Sequence, residues 1–213
     1  MTGREKLRGE KYALLFLIAA VFTAGNLLYY RMDNSFAVKE GFKAIIDFAC
    51  ILLACAIRAR TRGRRSNVLL WGVVCYALAD AVINFSFFAG MGLFAVGHVV
   101  LVAGLWRFHR PGKGRVIFFA LFSAAAVTGI LLARSLLGSV AVPAAVYAVF
   151  LIAMLTACLG GGAVLRTAGI LFTISDILLA YNMAGFLTVF TEVTVLFTFF
   201  LAVILLCFAI EER

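Results

Sequence analysis

The chain has 213 residues, of which 65% are hydrophobic and 14% are charged, and its formal net charge at pH 7 is +9. A soluble globular domain is about half apolar and about a quarter charged, so this composition leaves too few polar residues to cover a soluble core. It therefore excludes a soluble enzyme and predicts an integral membrane protein. The five cysteines lie inside apolar segments without a C-x-x-C pair, which predicts neither a disulfide framework nor a zinc knuckle.

Eight apolar segments follow one another along the chain, each about as long as a transmembrane helix. They cover residues 12–30, 41–57, 67–87, 91–107, 115–133, 139–158, 164–182 and 188–208. The first follows a basic stretch, but its apolar run is too long for a cleaved signal peptide, so we interpret it as an uncleaved span. The predicted fold class is all-α: a polytopic membrane helix bundle with eight transmembrane helices in a single domain, residues 1–213.

The distribution of lysine and arginine predicts the orientation of these helices. With the N-terminus in the cytoplasm, 15 of the 19 basic residues fall in cytoplasmic segments and 4 in external ones. This positive-inside bias predicts that the N-terminus and the C-terminus are both cytoplasmic. Basic loops beside apolar spans contact anionic lipid head groups. We therefore expect the positive charge to bind membrane lipids and not nucleic acid.

A weak internal similarity suggests a parallel repeat of two four-span halves, residues 1–110 and 111–213. Leu78 to Gly90 and Ile174 to Gly185 both contain an Asp, then an Asn, then Ala-Gly. Halves with an even number of spans insert the same way round, so an axis along the membrane normal would relate them. Asp80 and Asp176 would then face each other at similar depth. Chance similarity between apolar segments is the alternative.

Several ionisable side chains fall inside the predicted spans, where each is costly unless it has a partner, a hydrated cavity or a function. Asp80 and Asp176 lie about 20 Å and about 15 Å past the cytoplasmic ends of their spans, at ~1.5 Å per residue. Polar residues concentrate in the outer halves of the spans. We therefore predict a hydrated cavity that opens towards the external side or the outer leaflet, with the two carboxyls at its floor. Buried contacts between helices are the alternative.

Other polar residues are predicted to lie near this cavity. Lys43 and Asp47 are four residues apart and can pair on one helix face, and Asp80 shares a face with Asn84 in the same way. The remaining candidates are His98, Ser175, Tyr181, Asn182 and Glu192. The chain has only two histidines, and His109 lies in a basic loop, so the sequence predicts no metal site and no cofactor.

In order and spacing, these residues resemble the motifs of the lysoplasmalogenase (YhhN-like) family of eight-span membrane proteins. The corresponding stretches are Lys43-Ala44, Ala79-Asp80, Phe94-x-x-x-His98-x-x-Leu101, Phe172-Thr173-Ile174-Ser175-Asp176 and Phe199-Phe200-Leu201-Ala202-Val203. The family pattern has Pro, Gly, Tyr and Gln where this chain has Ala44, Ala79, Leu101 and Val203, whereas the charged positions are kept.

The resemblance implies hydrolysis of the vinyl ether bond of a lysophospholipid substrate, a lysoplasmalogen, which yields a fatty aldehyde and a glycerophospho-head group. Protonation of the β-carbon gives an oxocarbenium ion, which water attacks. This chemistry needs an acid and a base, which we predict to be Asp80 and Asp176 without assigning the two roles. Lys43 and His98 are candidates for binding the phosphate or for tuning the acid pair. The other substrate-binding candidates are Asp47, Asn84, Ser175, Tyr181, Asn182 and Glu192.

Two further functions stay open from the sequence. A small proton-coupled transporter would use Asp80 and Asp176 to carry protons. A non-catalytic family member would use the basic loop Arg58–Arg65 to contact lipid or a partner. A zinc-dependent membrane hydrolase is disfavoured, because a lone intramembrane His98 is too few ligands. The predicted location is a plasma, inner or endomembrane.

Overall fold

The structure, a computed structural model, describes residues 36–61, 63–108 and 110–210. Its α-helices are α1 (Phe36–Thr61), α2 (Arg64–Ile83), α3 (Phe87–Phe108), α4 (Lys113–Leu132), the single turn α5 (Arg134–Leu137), α6 (Ala141–Cys158), α7 (Ala163–Tyr181) and α8 (Val189–Ala209). A 3₁₀ turn, Gly138–Val140, joins α5 to α6, and a π-helical turn, Asn182–Phe186, follows α7. The described part of the chain contains no β-strand, so the prediction of an all-helical fold is confirmed.

Six helical segments are long and apolar enough to cross a membrane, which supports a membrane protein. They are Arg64–Ile83, Phe87–Phe108, Lys113–Leu132, Arg134–Cys158, Ala163–Phe186 and Phe190–Ala209. These segments correspond to the predicted third to eighth spans. The predicted second span lies within α1, which carries Lys43, Asp47 and Arg58 among its apolar residues. The predicted first span, residues 12–30, lies outside the described residues. The number of eight spans, the repeat and the side of the termini therefore stay predictions.

The turn between α2 and α3 lies inside the segment predicted as a single span, residues 67–87. The backbone N–H groups of Phe85 and Ser86 both donate to the carbonyl of Val82, and α3 begins at Phe87. Hydrophobicity could not reveal this turn, because phenylalanines continue through it. Asp80 consequently lies one helical turn from the end of α2, and Asn84 caps that helix.

Three glycines at seven-residue spacing bring α3 close to α2. A Cβ atom at Gly97 would lie 2.6 Å from Cε1 of Tyr76, and one at Gly104 would collide with Val68. Gly90 is similarly close to the backbone of Ile83. Small residues at such crossings allow two membrane helices to approach closely. The approach places the Tyr76 ring beside the turn of α3 that carries His98.

An aromatic cluster from four helices forms the centre of the bundle. Tyr76 (α2), Phe94 (α3), Phe172 (α7) and Phe199 (α8) contact one another with ring centroids 4.5–6.0 Å apart. Such tilted and edge-to-face pairs are favourable geometries for aromatic rings. Around the cluster, α2 packs on α3, α7 packs on α8, and α6 contacts α3, α4 and α7. Helix α1 packs on α2 and α8. The cluster thus fixes the relative positions of the helices that carry the polar residues.

Candidate functional site

A cavity of about 330 Å³ lies where α2 turns into α3 and where α7 leads into α8. The basic-residue bias predicts this end of the bundle to be external. Seven of the ten predicted site residues line the cavity: Lys43, Asp80, Asn84, Ser175, Asp176, Asn182 and Glu192. Apolar side chains such as Phe87, Phe94, Leu179 and Phe199 complete its wall. The structure therefore brings the carboxyls of Asp80 and Asp176, which are 96 positions apart in the sequence, onto one cavity.

The Asp80 side of the cavity contains a buried ion pair. Lys43 Nζ lies 3.1 Å from Asp80 Oδ1, and the two side chains are only 12% and 9% exposed. The side-chain amide of Asn84 donates to the Asp80 main-chain carbonyl over 3.0 Å. The sequence predicted a pair between Lys43 and Asp47 on one helix. The observed ion pair instead joins α1 to α2, because helix packing turns Lys43 towards the neighbouring helix.

Asp47 adds a second carboxyl behind the ion pair. Its side chain is 5% exposed and neighbours the Asp80 carboxyl. No side chain of the described residues donates to either Asp47 oxygen or to Asp80 Oδ2. The ion pair of Lys43 with Asp80 is therefore bordered by a second acidic side chain, on the same helix as Lys43.

The Asp176 side is built from neutral hydrogen-bonding groups. Tyr147 Oη donates to Asp176 Oδ2 over 2.6 Å. His98 Nε2 lies 2.9 Å from the same Tyr147 oxygen, and His98 Nδ1 lies 2.7 Å from Tyr76 Oη. Tyr76 and His98 are completely buried. Four side chains from α2, α3, α6 and α7 thus form one hydrogen-bonded chain that ends at the cavity.

A second, smaller cavity of about 70 Å³ adjoins the first and is lined almost entirely by apolar groups. The two cavities share Ile83, Phe87, Phe94, Asp176, Leu179 and Met183. The smaller one is completed by side chains that include Met91, Ile130, Ala144 and Tyr147. Asp176 therefore lies at the boundary between the polar and the apolar cavity, whereas Asp80 lines only the polar one.

The comparison with protein families agrees with the motifs that contribute to this site. The sequence profile of the YhhN family matches residues 38–210, which is more than half of the chain. The chain belongs to the YhhN family. This is the lysoplasmalogenase-like family that the motifs around Lys43, Asp80, His98 and Asp176 predicted. No curated protein and no solved structure matches the chain.

Three predicted site residues of this YhhN-family protein do not line the cavity. His98 lies behind the wall with both ring nitrogens engaged, a position that favours tuning of Asp176 over contact with a phosphate. Asp47 is buried beside Asp80. Tyr181 is 48% exposed and stacks on Phe186 with ring centroids 4.7 Å apart.

Among the residues that do line the cavity, the polar groups are not equally available. The Ser175 hydroxyl donates to the Val195 carbonyl over 3.0 Å, so it ties α7 to α8. Asn182 Oδ1 is buried and receives no hydrogen bond from a described residue. Glu192 lies in the first turn of α8, where its charge interacts favourably with the positive end of the helix dipole. Asn182 and Glu192 are therefore the wall residues best placed to contact a polar ligand.

Sequence reasoning missed Tyr76 and Tyr147 in this YhhN-family site. Both hydroxyls lie inside apolar segments, and a polar group within a span needs a partner. That signal marks them as candidates, and Tyr76 precedes Asp80 by one helical turn. Their partners could not be predicted, because Tyr147 and Asp176 lie on different helices. No group of three or more His, Cys, Asp or Glu within the described ranges could hold a metal ion.

Proposed function

We propose that this YhhN-family protein is a membrane-embedded hydrolase that cleaves the vinyl ether bond of lysoplasmalogens. The observation that carries the proposal is a single cavity within a membrane bundle that presents two carboxyls in different electrostatic surroundings. Asp80 is paired with a cation, whereas Asp176 receives a hydrogen bond from a neutral phenol. Two carboxyls with different surroundings are suited to serve as one general acid and one general base.

The different surroundings support a division of the two roles. Asp176 lines the apolar cavity and forms a hydrogen bond with a neutral phenol, so it is suited to hold a proton and serve as the donor. Asp80 lies 3.1 Å from the Lys43 ammonium, the partner of a carboxylate, so it is suited to serve as the base. In the reaction, Asp176 gives a proton to the β-carbon of the vinyl ether. Asp80 removes a proton from the water that attacks the oxocarbenium ion, and its charge also stabilises that cation. The resulting hemiacetal then collapses: its O–H proton passes to Asp176, the C–O bond to the glycerol oxygen breaks to give the aldehyde, and Asp80 returns its proton to the glycerol oxygen.

The two cavities suggest how the substrate lies. The alkenyl chain occupies the small apolar cavity, and the glycerophospho-head group occupies the larger one beside Asn182 and Glu192. The β-carbon is on the chain side of the scissile bond, so it lies at the boundary where Asp176 is found. Water and Asp80 are then on the head-group side. This scheme needs no metal or cofactor.

The test is an assay of the purified protein in detergent micelles against alkenyl and acyl lysophospholipids, with both products followed by mass spectrometry. We expect aldehyde release from alkenyl substrates alone, with a loss of about 100-fold or more in Asp80→Asn and Asp176→Asn. Trp71→Phe, on the exposed surface of α2 and outside both cavities, is the control with unchanged activity. Retained activity in both Asp variants would refute the proposal. Proton-coupled uptake into liposomes without aldehyde release would instead support the transporter that the sequence left open.

A further inference from the structure

Tyr76, His98 and Tyr147 form a hydrogen-bonded chain that ends at Asp176 and neither gives nor takes a proton in the proposed reaction. We infer that this chain positions the acid: Tyr147, held by His98 and Tyr76, occupies Oδ2 of Asp176 and so confines the reactive proton to Oδ1. The inference rests on the proposed function. Tyr147 acts through Asp176 and is therefore a positioning residue.

The direction of the chain follows from the number of protons that each group carries. A phenol has one O–H, and a neutral imidazole has one N–H donor and one acceptor nitrogen. If the Tyr147 proton points to Asp176, the Tyr147 oxygen must accept from His98 Nε2–H. His98 Nδ1 is then the acceptor, and Tyr76 must donate to it. The direction of the first hydrogen bond thus determines the donor and the acceptor in all three, whose lengths are 2.6, 2.9 and 2.7 Å.

The packing around the chain keeps this arrangement in place. Tyr76 and His98 have no exposed surface, and Phe172 contacts both rings at centroid distances of 4.5 and 5.4 Å. Water therefore cannot replace any of the inner hydrogen bonds. Gly97 on α3 leaves the space that the Tyr76 ring fills. Hydrogen bonds aligned in one direction within apolar surroundings also polarise and strengthen one another.

The hydrogen-bonded chain also stabilises the Asp176 carboxylate that is left after proton donation. When the proton on Asp176 Oδ1 moves to the β-carbon of the substrate, a negative charge develops on the carboxyl. All three donors already point towards that charge, so no dipole has to reorient during the reaction. The protons of Tyr147, His98 and Tyr76 stay on their own atoms throughout.

The first test reads the His98 tautomer directly. The chain has two histidines, so the His109→Gln variant labelled with ¹⁵N-histidine gives the signals of His98 alone. In detergent micelles we expect a neutral ring protonated at Nε2, with an Nδ1 signal that shifts in Tyr76→Phe because its hydrogen bond is lost. A ring protonated at Nδ1 would overturn the inference, because Tyr147 would then have to donate to His98. This measurement does not depend on activity or on a substituted Tyr147.

The second test separates catalysis from binding. Tyr147→Phe should lower kcat for an alkenyl lysophospholipid about 10-fold or more with little change in KM, and Tyr76→Phe should lower kcat by a smaller factor. Trp71→Phe is the control on the same helix as Tyr76, because the Trp71 side chain is 60% exposed and lines neither cavity. Unchanged kcat in Tyr147→Phe would overturn the positioning role even if both Asp variants are inactive. Conversely, absence of aldehyde release from the unsubstituted protein would refute the proposed function. The His98 tautomer would still determine the direction of donation along the hydrogen-bonded chain.

Discussion

The two sides of the cavity use the same residue type in opposite ways. On one side, Asp80 lies 3.1 Å from the Lys43 ammonium, with the Asp47 carboxyl beside it. On the other side, Asp176 receives a hydrogen bond from Tyr147 and adjoins an apolar cavity. One aspartate is thus balanced by charge and the other by a neutral donor. The partners from neighbouring helices, and not the residue type, therefore determine what each carboxyl can do.

The two sides of the cavity also differ in how much they contribute to the stability of the fold. Breaking a buried ion pair leaves an uncompensated charge in surroundings that solvate it poorly. Losing a neutral hydrogen bond costs much less. The Asp80 side should therefore be sensitive to substitution in both stability and activity, whereas the Asp176 side should be sensitive mainly in activity.

The largest expected difference is in stability. Asp80→Asn should lower the free energy of unfolding by about 3 kcal/mol, because the buried carboxylate 3.1 Å from the Lys43 ammonium is lost and Asp47 replaces it only in part. Asp176→Asn should lower it by about 1 kcal/mol or less, because an amide oxygen still accepts from Tyr147. Unfolding in mixed detergent micelles measures both values. Equal losses in the two variants would contradict the distinction between the two sides.

The double variant Lys43→Met/Asp80→Asn provides the control for this difference. It removes the charge together with its partner, so it should recover most of the lost stability. It should remain inactive, because the base is still absent. Recovery of activity in the double variant would show that Asp80 has only a structural role.

The next effect concerns the apolar cavity, which Asp176 lines and Asp80 does not. Ala144→Phe should fill this cavity and raise KM for long alkenyl chains about 10-fold, since overpacking costs about 1–3 kcal/mol. KM measured over a series of chain lengths should rise most for the longest chains. Val142→Phe is the matched control on α6, because Val142 is 65% exposed on the outside of the bundle. An equal rise in both variants would exclude a chain site in the small cavity.

The smallest effect acts on Asp176 from a distance. Gly97→Ala would place a methyl group against the Tyr76 ring, so it should lower stability by about 1–2 kcal/mol and shift the His98 Nδ1 signal. Gly92→Ala on the same helix meets no atom within 4 Å and should leave both unchanged or slightly raise stability. An unshifted His98 signal in Gly97→Ala would show that the packing of Gly97 on Tyr76 does not maintain the hydrogen bond between Tyr76 and His98.

The amino-acid sequence by itself determined the class of the protein and where its polar groups fall. Composition and the length of the apolar segments predicted a helical membrane bundle, and the bounds of α3, α4, α6, α7 and α8 lie within a few residues of the predicted segments. The motifs predicted the YhhN family, which the match over residues 38–210 confirmed. These properties depend on runs of neighbouring residues, so hydrophobicity and spacing suffice to predict them.

Only the tertiary structure decided which partner each polar group takes. Helical spacing paired Lys43 with Asp47, but the ion pair crosses to Asp80 on α2. Likewise, the bond from Tyr147 to Asp176 joins helices α6 and α7. Such contacts depend on the rotation and depth of each helix against its neighbours. In apolar segments the rotation and depth of a helix are set by close packing, as at Gly97 against Tyr76. Hydrophobicity does not predict them, because it is nearly the same all round such a helix.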